Sequence, residues 1–357
     1  TNWDGATGAG ILWKTAVARN GKSSPVVWGE RVFLTGADEQ ALEIFCFNAD
    51  SGEIRWRKCV PQTVASDRLG DITDDTGRAA PTMATDGERV FAIFASGDIV
   101  CLTLDGDNVW ARNLGVPDLN YGYGSSLQVA KGRVIVQYDA TDKCRLLALD
   151  AATGETVWET PRDVATAWAS PLIVDTPERT EIILSADPLI ASYDADTGKE
   201  LWSLECLSGE VAPSPGYADG IVVAANEVCG AKAVRLDDPN LLWESSDDVP
   251  DVASPLVTSN GVFMASSGGV VTCLDTASGD VMWQQEFGNS FWSSPVLAAN
   301  NVYVFDSSGV ARVFKAAHTY EEIGSPALGE PVVSTPAFVG GRIYVRGDKH
   351  LFCIGGN

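Results

Sequence analysis

The sequence is short of histidine, of basic residues and of long apolar runs. Its two histidines, His318 and His350, have no serine or cysteine nucleophile elbow beside them, so a hydrolytic triad is not indicated. Acidic residues outnumber basic ones 48 to 25, for a net charge of −23. Such a surface repels nucleic acid and anionic membranes, and no apolar run reaches the ~18–20 residues of a transmembrane helix. We therefore expect neither nucleic-acid binding nor a transmembrane segment.

Paired cysteine motifs are also missing, although the chain has eight cysteines. There is no CxxC motif, no Cys/His cluster with metal-ligand spacing and no pair of adjacent cysteines. Four recur at one strand position of the repeat described below, where a small buried free thiol is expected: Cys46, Cys101, Cys273 and Cys353. The other four allow three full disulfide pairings, and the sequence does not choose among them: Cys59, Cys144, Cys206 and Cys229.

Short strands and tight turns dominate what is present, and residues 252–287 show the pattern best. Four apolar runs follow one another there, separated by turns and ending at Trp283. Asn260-Gly261 predicts a tight hairpin because both positions tolerate φ > 0. Asp275 and Gly279 bound a second turn, the first by bonding the backbone ahead and the second by its free dihedral. The segment is a four-stranded antiparallel sheet, too small to bury its faces alone.

This unit recurs along the chain. A Ser-Pro-like pair opens each copy at intervals of 40 to 56 residues, with Ala80-Pro81 in the second copy and Ser126-Leu127 in the third. A tryptophan ends most copies: Trp56, Trp110, Trp158, Trp202, Trp243 and Trp283. A period of about 40–45 residues with four strands is typical of a β-propeller blade. We predict an all-β, eight-bladed β-propeller of four-stranded antiparallel blades forming a single domain over residues 1–357. The predicted blades cover residues 23–60, 79–115, 125–162, 168–206, 212–246, 252–287, 292–324 and 333–355.

The two ends of the chain predict how the ring closes. The last copy stops after its third strand, whereas residues 8–15 resemble a fourth strand with its own Trp13. Pairing them completes blade eight and removes a free sheet edge. We expect the seven tryptophans of this position to be structural.

The repeat resembles a known family. The runs Ala148–Trp158 and Tyr193–Trp202, with their Asp-x-x-Thr-Gly turns, are similar to the repeat of pyrroloquinoline quinone (PQQ)-like β-propellers. Relatives in that family include quinoprotein alcohol dehydrogenases, the outer-membrane β-barrel assembly propeller lipoprotein and uncharacterised secreted propellers. The resemblance implies the architecture and, for each motif Trp, docking against the neighbouring blade. Fold alone does not assign activity.

For a dehydrogenase, the resemblance would imply a vicinal Cys-Cys disulfide above PQQ, a Trp below it, a calcium ion and an Asp base. The vicinal cysteines are missing here, so our first hypothesis is a non-catalytic binding or scaffold propeller without a cofactor. A PQQ- and calcium-dependent dehydrogenase with an atypical site is the alternative, and a sensor of sugars, peptides or polyanions is a third hypothesis.

Candidate ligand-binding residues come from the positions just ahead of the inner strands. Those positions are mostly small, but three residues before the Ser-Pro proline they vary and include two cations and two tryptophans. With nearby aromatics they predict an aromatic, partly cationic mouth on the loop face: Lys22, Arg78, Tyr121, Tyr123, Trp168, Phe291 and Trp292.

The longest insertion between blades, residues 61–77, is acidic. Its carboxylates are weak calcium candidates because they lack EF-hand spacing, and a solvated loop is the favoured interpretation: Asp67, Asp71, Asp74 and Asp75. Since Thr1 is not a native start, we expect a removed export signal and a periplasmic or extracellular, monomeric protein. The partner is expected to be a protein, a peptide or a saccharide.

Overall fold

The computed structural model describes residues 2–61, 72–74, 76–119 and 121–355. Across these residues the chain forms eight four-stranded antiparallel sheets. They are the blades of an eight-bladed β-propeller, which confirms the predicted fold class. No helix in this part of the chain has the length and apolarity that a membrane span requires.

Four blades belong to the first half of the chain. Blade one has β2 (Val26–Trp28), β3 (Arg31–Ala37), β4 (Leu42–Asn48) and β5 (Ile54–Val60). Blade two has β6 (Ala84–Thr85), β7 (Arg89–Ile93), β8 (Asp98–Thr103) and β9 (Asn108–Asn113). Blade three has β10 (Gln128–Ala130), β11 (Arg133–Asp139), β12 (Cys144–Asp150) and β13 (Thr156–Pro161). Blade four has β14 (Leu172–Asp175), β15 (Thr180–Ala186), β16 (Leu189–Asp194) and β17 (Glu200–Glu205).

Four blades follow in the second half. Blade five has β18 (Gly216–Ala218), β19 (Ile221–Asn226), β20 (Gly230–Arg235) and β21 (Leu241–Ser245). Blade six has β22 (Leu256–Thr258), β23 (Gly261–Ala265), β24 (Val270–Leu274) and β25 (Val281–Glu286). Blade seven has β26 (Val296–Ala298), β27 (Asn301–Phe305), β28 (Ala311–Lys315) and β29 (Glu322–Gly324). Blade eight has β30 (Ala337–Val339), β31 (Arg342–Arg346) and β32 (His350–Ile354), with β1 (Ile11–Ala16) as its outer strand.

The N-terminal strand completes blade eight, as predicted. The order of this sheet is β1-β32-β31-β30, and the N–H of Gly355 donates to the carbonyl of Gly10 at 3.1 Å. Glu330 supports the junction: its carboxylate accepts from the backbone N–H groups of Lys349 and His350, each at 3.0 Å. Its Oε2 also lies 2.8 Å from His350 Nδ1 and 3.6 Å from Lys14 Nζ.

The chain divides into two compact units. One comprises residues 1–14, 185–191 and 202–357, and the other comprises residues 15–184 and 192–201. Blades one to three lie in the second of these units and blades five to seven in the first. The single-domain assignment stays a prediction.

The recurring turn owes its shape to an aspartate and a glycine. In blade three, Asp150 Oδ1 accepts from the N–H groups of Ala152 and Thr153 at 3.0 and 2.8 Å. Gly154 has φ +72°, a left-handed conformation that costs glycine little. Because Gly154 has no side chain, it also leaves room for a tryptophan of the preceding blade.

Four motif tryptophans pack on the turn glycine of the following blade: Trp56, Trp110, Trp158 and Trp243. A Cβ on Gly154 would lie 2.6 Å from the indole of Trp110, so only glycine admits the ring. Trp110 Nε1 then donates to the carbonyl of Ala151 at 3.0 Å. Three further motif tryptophans donate to a carbonyl of the next blade at 2.9–3.0 Å: Trp56, Trp243 and Trp283. Trp13 is buried against Tyr344, with ring centroids 6.0 Å apart. For Trp158 and Trp202, no partner of Nε1 is found among the described residues.

The recurring cysteines lie opposite these tryptophans. Cys46, Cys101 and Cys273 pair in register with Trp56, Trp110 and Trp283, so each thiol shares a face with an indole. The sulfur of Cys101 is 3.8 Å from the carbonyl of Ala151 that also accepts from Trp110. Burial raises the pKa of all three thiols to about 12. All eight cysteines are free.

The Ser-Pro position ties successive blades together. The N–H of Ser24 donates to Thr82 Oγ1 at 2.9 Å, that of Thr82 to Ser126 Oγ at 3.0 Å, and that of Ser126 to Ser170 Oγ at 2.8 Å. In the other unit a second series runs from Ser214 through Ser254 and Ser294 to Thr335 at 2.9–3.0 Å. A small hydroxyl residue recurs here because it accepts a backbone N–H from the preceding blade.

This series corrects the alignment of blade two. The hydroxyl of Thr82 takes part in it, and β6 begins after Met83. The equivalent of Ser24-Pro25 is therefore Thr82-Met83, two residues beyond the expected Ala80-Pro81. The misleading signal was Pro81, which resembles the prolines of the other blades.

Candidate functional site

An aromatic pair lies on the loops that precede blades three and four. The rings of Tyr121 and Trp168 meet edge to face with centroids 5.3 Å apart. Trp168 Nε1 donates to the carbonyl of Gly122 at 2.9 Å, and the ring edge lies close to Gly124. Tyr121 is 37% exposed, whereas Trp168 is half-buried. The half-buried indole thus supports an exposed phenol ring through an edge-to-face contact.

Two of the predicted site residues are core residues instead. Tyr123 is 1% exposed, and its hydroxyl donates to the carbonyl of Gln137 at 2.7 Å. Phe291 is fully buried, with its ring 5.8 Å from that of Phe287. The expectation that they line an open mouth is wrong, because their side chains point into the packed interior of their units. Position in the sequence alone did not separate Tyr121 from Tyr123.

The two candidate cations occupy different positions. The backbone N–H of Lys22 donates to the carbonyl of Ala79 at 3.0 Å, and its side chain is half-buried. The corrected alignment of blade two places Ala80, rather than Arg78, at the position equivalent to Lys22. The Nη1 of Arg78 is buried, and no hydrogen-bond partner for it is found within the described chain. The two residues therefore do not form a repeated cationic ring.

The remaining candidate, Trp292, belongs to the other unit and is half-buried. That these seven residues form one binding site stays a prediction.

A buried ion pair near the loop that carries Trp168 was missed by sequence analysis; the N–H of Ala167 donates to the carbonyl of Asp139 at 3.2 Å. The Nη1 of Arg162 contacts Asp139 Oδ2, and both side chains are fully buried. The same carboxylate oxygen accepts from Gln137 Nε2 at 2.8 Å, and Arg162 Nε lies 3.3 Å from the hydroxyl of Tyr193. Arg162 begins the connection that leads to Trp168, so the pair anchors the loop carrying that ring. The pair joins the end of β11 to the residue after β13, and no matching Asp and Arg recur at these positions in the other blades.

Metal or PQQ binding finds little support in the arrangement. Asp67, Asp71 and Asp75 lie outside the described residues, and Asp74 is exposed. Elsewhere, the described chain assembles no group of three His, Cys, Asp or Glu side chains for a metal ion. The cysteines are single, so the vicinal disulfide expected above PQQ has no counterpart. The residues present do not fit that cofactor.

Sequence comparison relates the chain to a protein of bacterial outer-membrane assembly. Outer membrane protein assembly factor BamB of Salmonella typhimurium is 26% identical over 272 residues, covering 70% of this chain and 66% of that protein. The match thus spans just under two thirds of this relative's length.

Two solved structures show the same architecture. BamB from Moraxella catarrhalis superposes with a TM-score of 0.73 at 16% identity, covering 97% of each chain. Quinohemoprotein alcohol dehydrogenase from Comamonas testosteroni gives 0.75 at 13% identity, covering 97% of this chain and 77% of that one. Likeness at these identities shows the fold alone, since both BamB and an alcohol dehydrogenase have it.

A match to a protein-family model shows which family the chain belongs to. The family model matches residues 1–139, 43–186 and 142–311, and these overlapping matches together cover residues 1–311. The protein belongs to the family of outer membrane protein assembly factor BamB.

Proposed function

We propose that the protein is a non-catalytic β-propeller that binds a protein partner during outer-membrane protein assembly. Its docking surface is the Tyr121–Trp168 pair on the loops before blades three and four. Family membership supports the process, and the absence of a vicinal cysteine pair disfavours the dehydrogenase alternative. The proposal includes export to the periplasm, a monomeric chain and no resident cofactor.

The observation that carries the docking surface is an exposed aromatic ring on a rigid support. Tyr121 is exposed, whereas Trp168 beneath it is fixed by a hydrogen bond and by a loop anchored at Arg162. Large rings held in place bury area on binding with little loss of conformational entropy, which is why they recur as interface anchors. Loops held by a rigid scaffold are the usual carriers of binding function.

The test is complementation of a strain that lacks the gene. Tyr121→Ala and Trp168→Ala should each lower the amount of folded β-barrel protein in the outer membrane while the propeller itself stays at wild-type abundance. Leu297→Ala is the matched control, because Leu297 is a similarly exposed apolar residue (41%) in blade seven. Wild-type levels of β-barrel protein with both aromatic variants would contradict the proposed surface.

The dehydrogenase alternative has its own test. Purified protein is titrated with PQQ and calcium and assayed for dye reduction with alcohols and sugars. We expect no saturable PQQ binding, and turnover above background would replace the proposal.

A further inference from the structure

A second surface of a different kind lies at the seam between blades five and six. A cleft of about 450 Å³ opens there, and its lining includes Lys232, Glu244, Asp247, Gly279, Asp280 and Val281. This volume lies within the range of sites that hold a ligand group. All of its lining belongs to the unit that contains residues 202–357, whereas Tyr121 and Trp168 belong to the other unit.

One wall of the cleft is rigid. Trp243 is 7% exposed and packs on Gly279, where an added Cβ would lie 2.6 Å from the indole. Its Nε1 donates to the carbonyl of Thr276 at 2.9 Å. The turn that ends in Gly279 and Asp280 is therefore fixed to blade five. This wall is therefore already ordered before a ligand binds, so that binding does not require the turn to become ordered.

The lining is acidic. It carries three carboxylates, from Glu244, Asp247 and Asp280, against the single ammonium of Lys232. That ammonium lies 2.5 Å from Glu244 Oε2, and the Lys232 side chain is only 14% exposed, so its charge is already committed. The cleft therefore favours a cationic group and disfavours an anionic one.

Val281 lines the cleft, and further exposed apolar side chains lie on the two outer strands, β21 and β25, of the blades that form it. Two consecutive residues ahead of the tryptophan are exposed in both β21 and β25: Leu241 (43%), Leu242 (40%), Val281 (41%) and Met282 (38%). In the other Trp-bearing outer strands of the described chain, one residue of the pair is polar or half-buried, as in Asn108-Val109 and Glu200-Leu201. Exposed apolar side chains on the outer strands of neighbouring blades, close to charged residues, are typical of a protein-binding surface.

We propose that this seam binds an extended segment of a partner protein in which lysine or arginine alternates with aliphatic residues. The cationic side chain enters the cleft toward Asp247 and Asp280, and the aliphatic residues cover Leu242 and Met282. Charge complementarity selects this occupant over an acidic peptide. The contact is additional to the docking surface proposed above and does not depend on it.

The test uses synthetic peptides and the full-length chain. Fluorescence anisotropy is measured with a labelled peptide of alternating leucine and lysine, with a leucine–glutamate peptide, and with a serine–lysine peptide of the same charge. We expect saturable binding of the leucine–lysine peptide that weakens with salt and at least tenfold weaker binding of the other two. Equal binding of the serine–lysine peptide would mean attraction to the net charge only and would overturn the proposal.

Variants place the binding on the seam. Asp247→Asn with Asp280→Asn, and separately Leu242→Ser with Met282→Ser, should each weaken peptide binding at least tenfold. Glu39→Gln, an exposed carboxylate in blade one, is the matched control and should leave it unchanged. Circular dichroism melts verify folding, and a variant that does not fold is replaced by Asp280→Asn or Met282→Ser alone.

Three other outcomes would overturn the assignment. They are unchanged peptide binding in the seam variants, full competition by spermidine or calcium, and a concentration-dependent dimer of this chain abolished by Leu242→Ser with Met282→Ser. The last two would identify a small cation or a second copy as the occupant.

Discussion

The residues that recur in most repeats do so mainly because they contact the next blade, and less because of their role within their own strand. The turn glycine at Gly154 has a positive φ, and it also leaves room for the indole of Trp110. The cysteine opposite that tryptophan fits for the same reason, since a larger side chain would displace the ring. Each of these recurring residues thus makes contacts in its own blade and with a neighbouring blade.

Alanine substitutions at two glycines separate the cost of backbone strain from the cost of a clash with the tryptophan. Gly220→Ala keeps the strain alone, because Gly220 has φ +82° and nothing lies within 4 Å of an added Cβ; it should cost about 1–2 kcal/mol. Gly154→Ala adds the clash with Trp110 and should cost a further ~1–3 kcal/mol. Urea unfolding of both variants gives the difference, and equal losses would show that the indole moves aside freely.

The hydroxyl of Ser126 offers a second residue-scale test. Ser126→Ala leaves the N–H of Thr82 without its acceptor, and the loss should be about 1–3 kcal/mol of unfolding free energy. Ser126→Thr should restore most of it, because Thr82 and Thr335 already serve as acceptors in their own blades. If alanine and threonine are equally well tolerated, the hydrogen bond between blades contributes little.

At the scale of elements, blade eight joins the two ends of the chain through one carboxylate. The side chain of Glu330 is only 10% exposed, and it lies next to Lys14 of β1 and His350 of β32. Burial alone would raise its pKa, but the backbone N–H groups of Lys349 and His350 and the His350 ring outweigh burial and lower the pKa below 4.5. A carboxyl whose pKa is lowered by folding stabilises the protein at neutral pH and loses that effect as the pH falls through the folded pKa.

The pH dependence of Glu330→Gln tests this junction. At pH 7 the variant should be less stable than the wild type by about 1.5–3 kcal/mol, the usual worth of hydrogen bonds to a charged group. The gap should narrow below pH ~4.5, where the carboxyl of the unfolded wild type takes up a proton, and should be smallest once the pH has fallen below the lower folded pKa. Free energies of unfolding from pH 3 to 7 measure it, and a gap that is constant with pH would exclude the charge as the cause.

Elements also show what sequence could and could not predict. The Asp–Gly turns and tryptophans located most blades, and the Ser-Pro-like pair located blade seven, which has neither, because each signal is local and repeats. Blade two was misaligned because Pro81 imitates the proline of its neighbours, whereas the hydroxyl that makes the bond belongs to Thr82. The residue that can accept a backbone N–H through its hydroxyl, Thr82, marks the correct alignment.

At the scale of the whole molecule, the repeats predict the ring and its closure, but the candidate sites depend on features that do not repeat. Tyr121 and Tyr123 are two residues apart in the same loop, yet only the first is exposed. The Arg162–Asp139 pair and the cleft beside Asp280 bring together residues far apart in sequence. Contacts of that kind depend on packing, which a single sequence does not reveal.

The most direct test of the proposed function is photo-crosslinking in living cells. A photoreactive amino acid replaces Tyr121 in the full-length chain, and Glu39 carries it in a control; both positions are exposed. We predict a covalent product with one outer-membrane assembly protein at position 121, identified by mass spectrometry, and none at position 39. No product at position 121, or the same products at both positions, would contradict protein binding through the Tyr121–Trp168 surface.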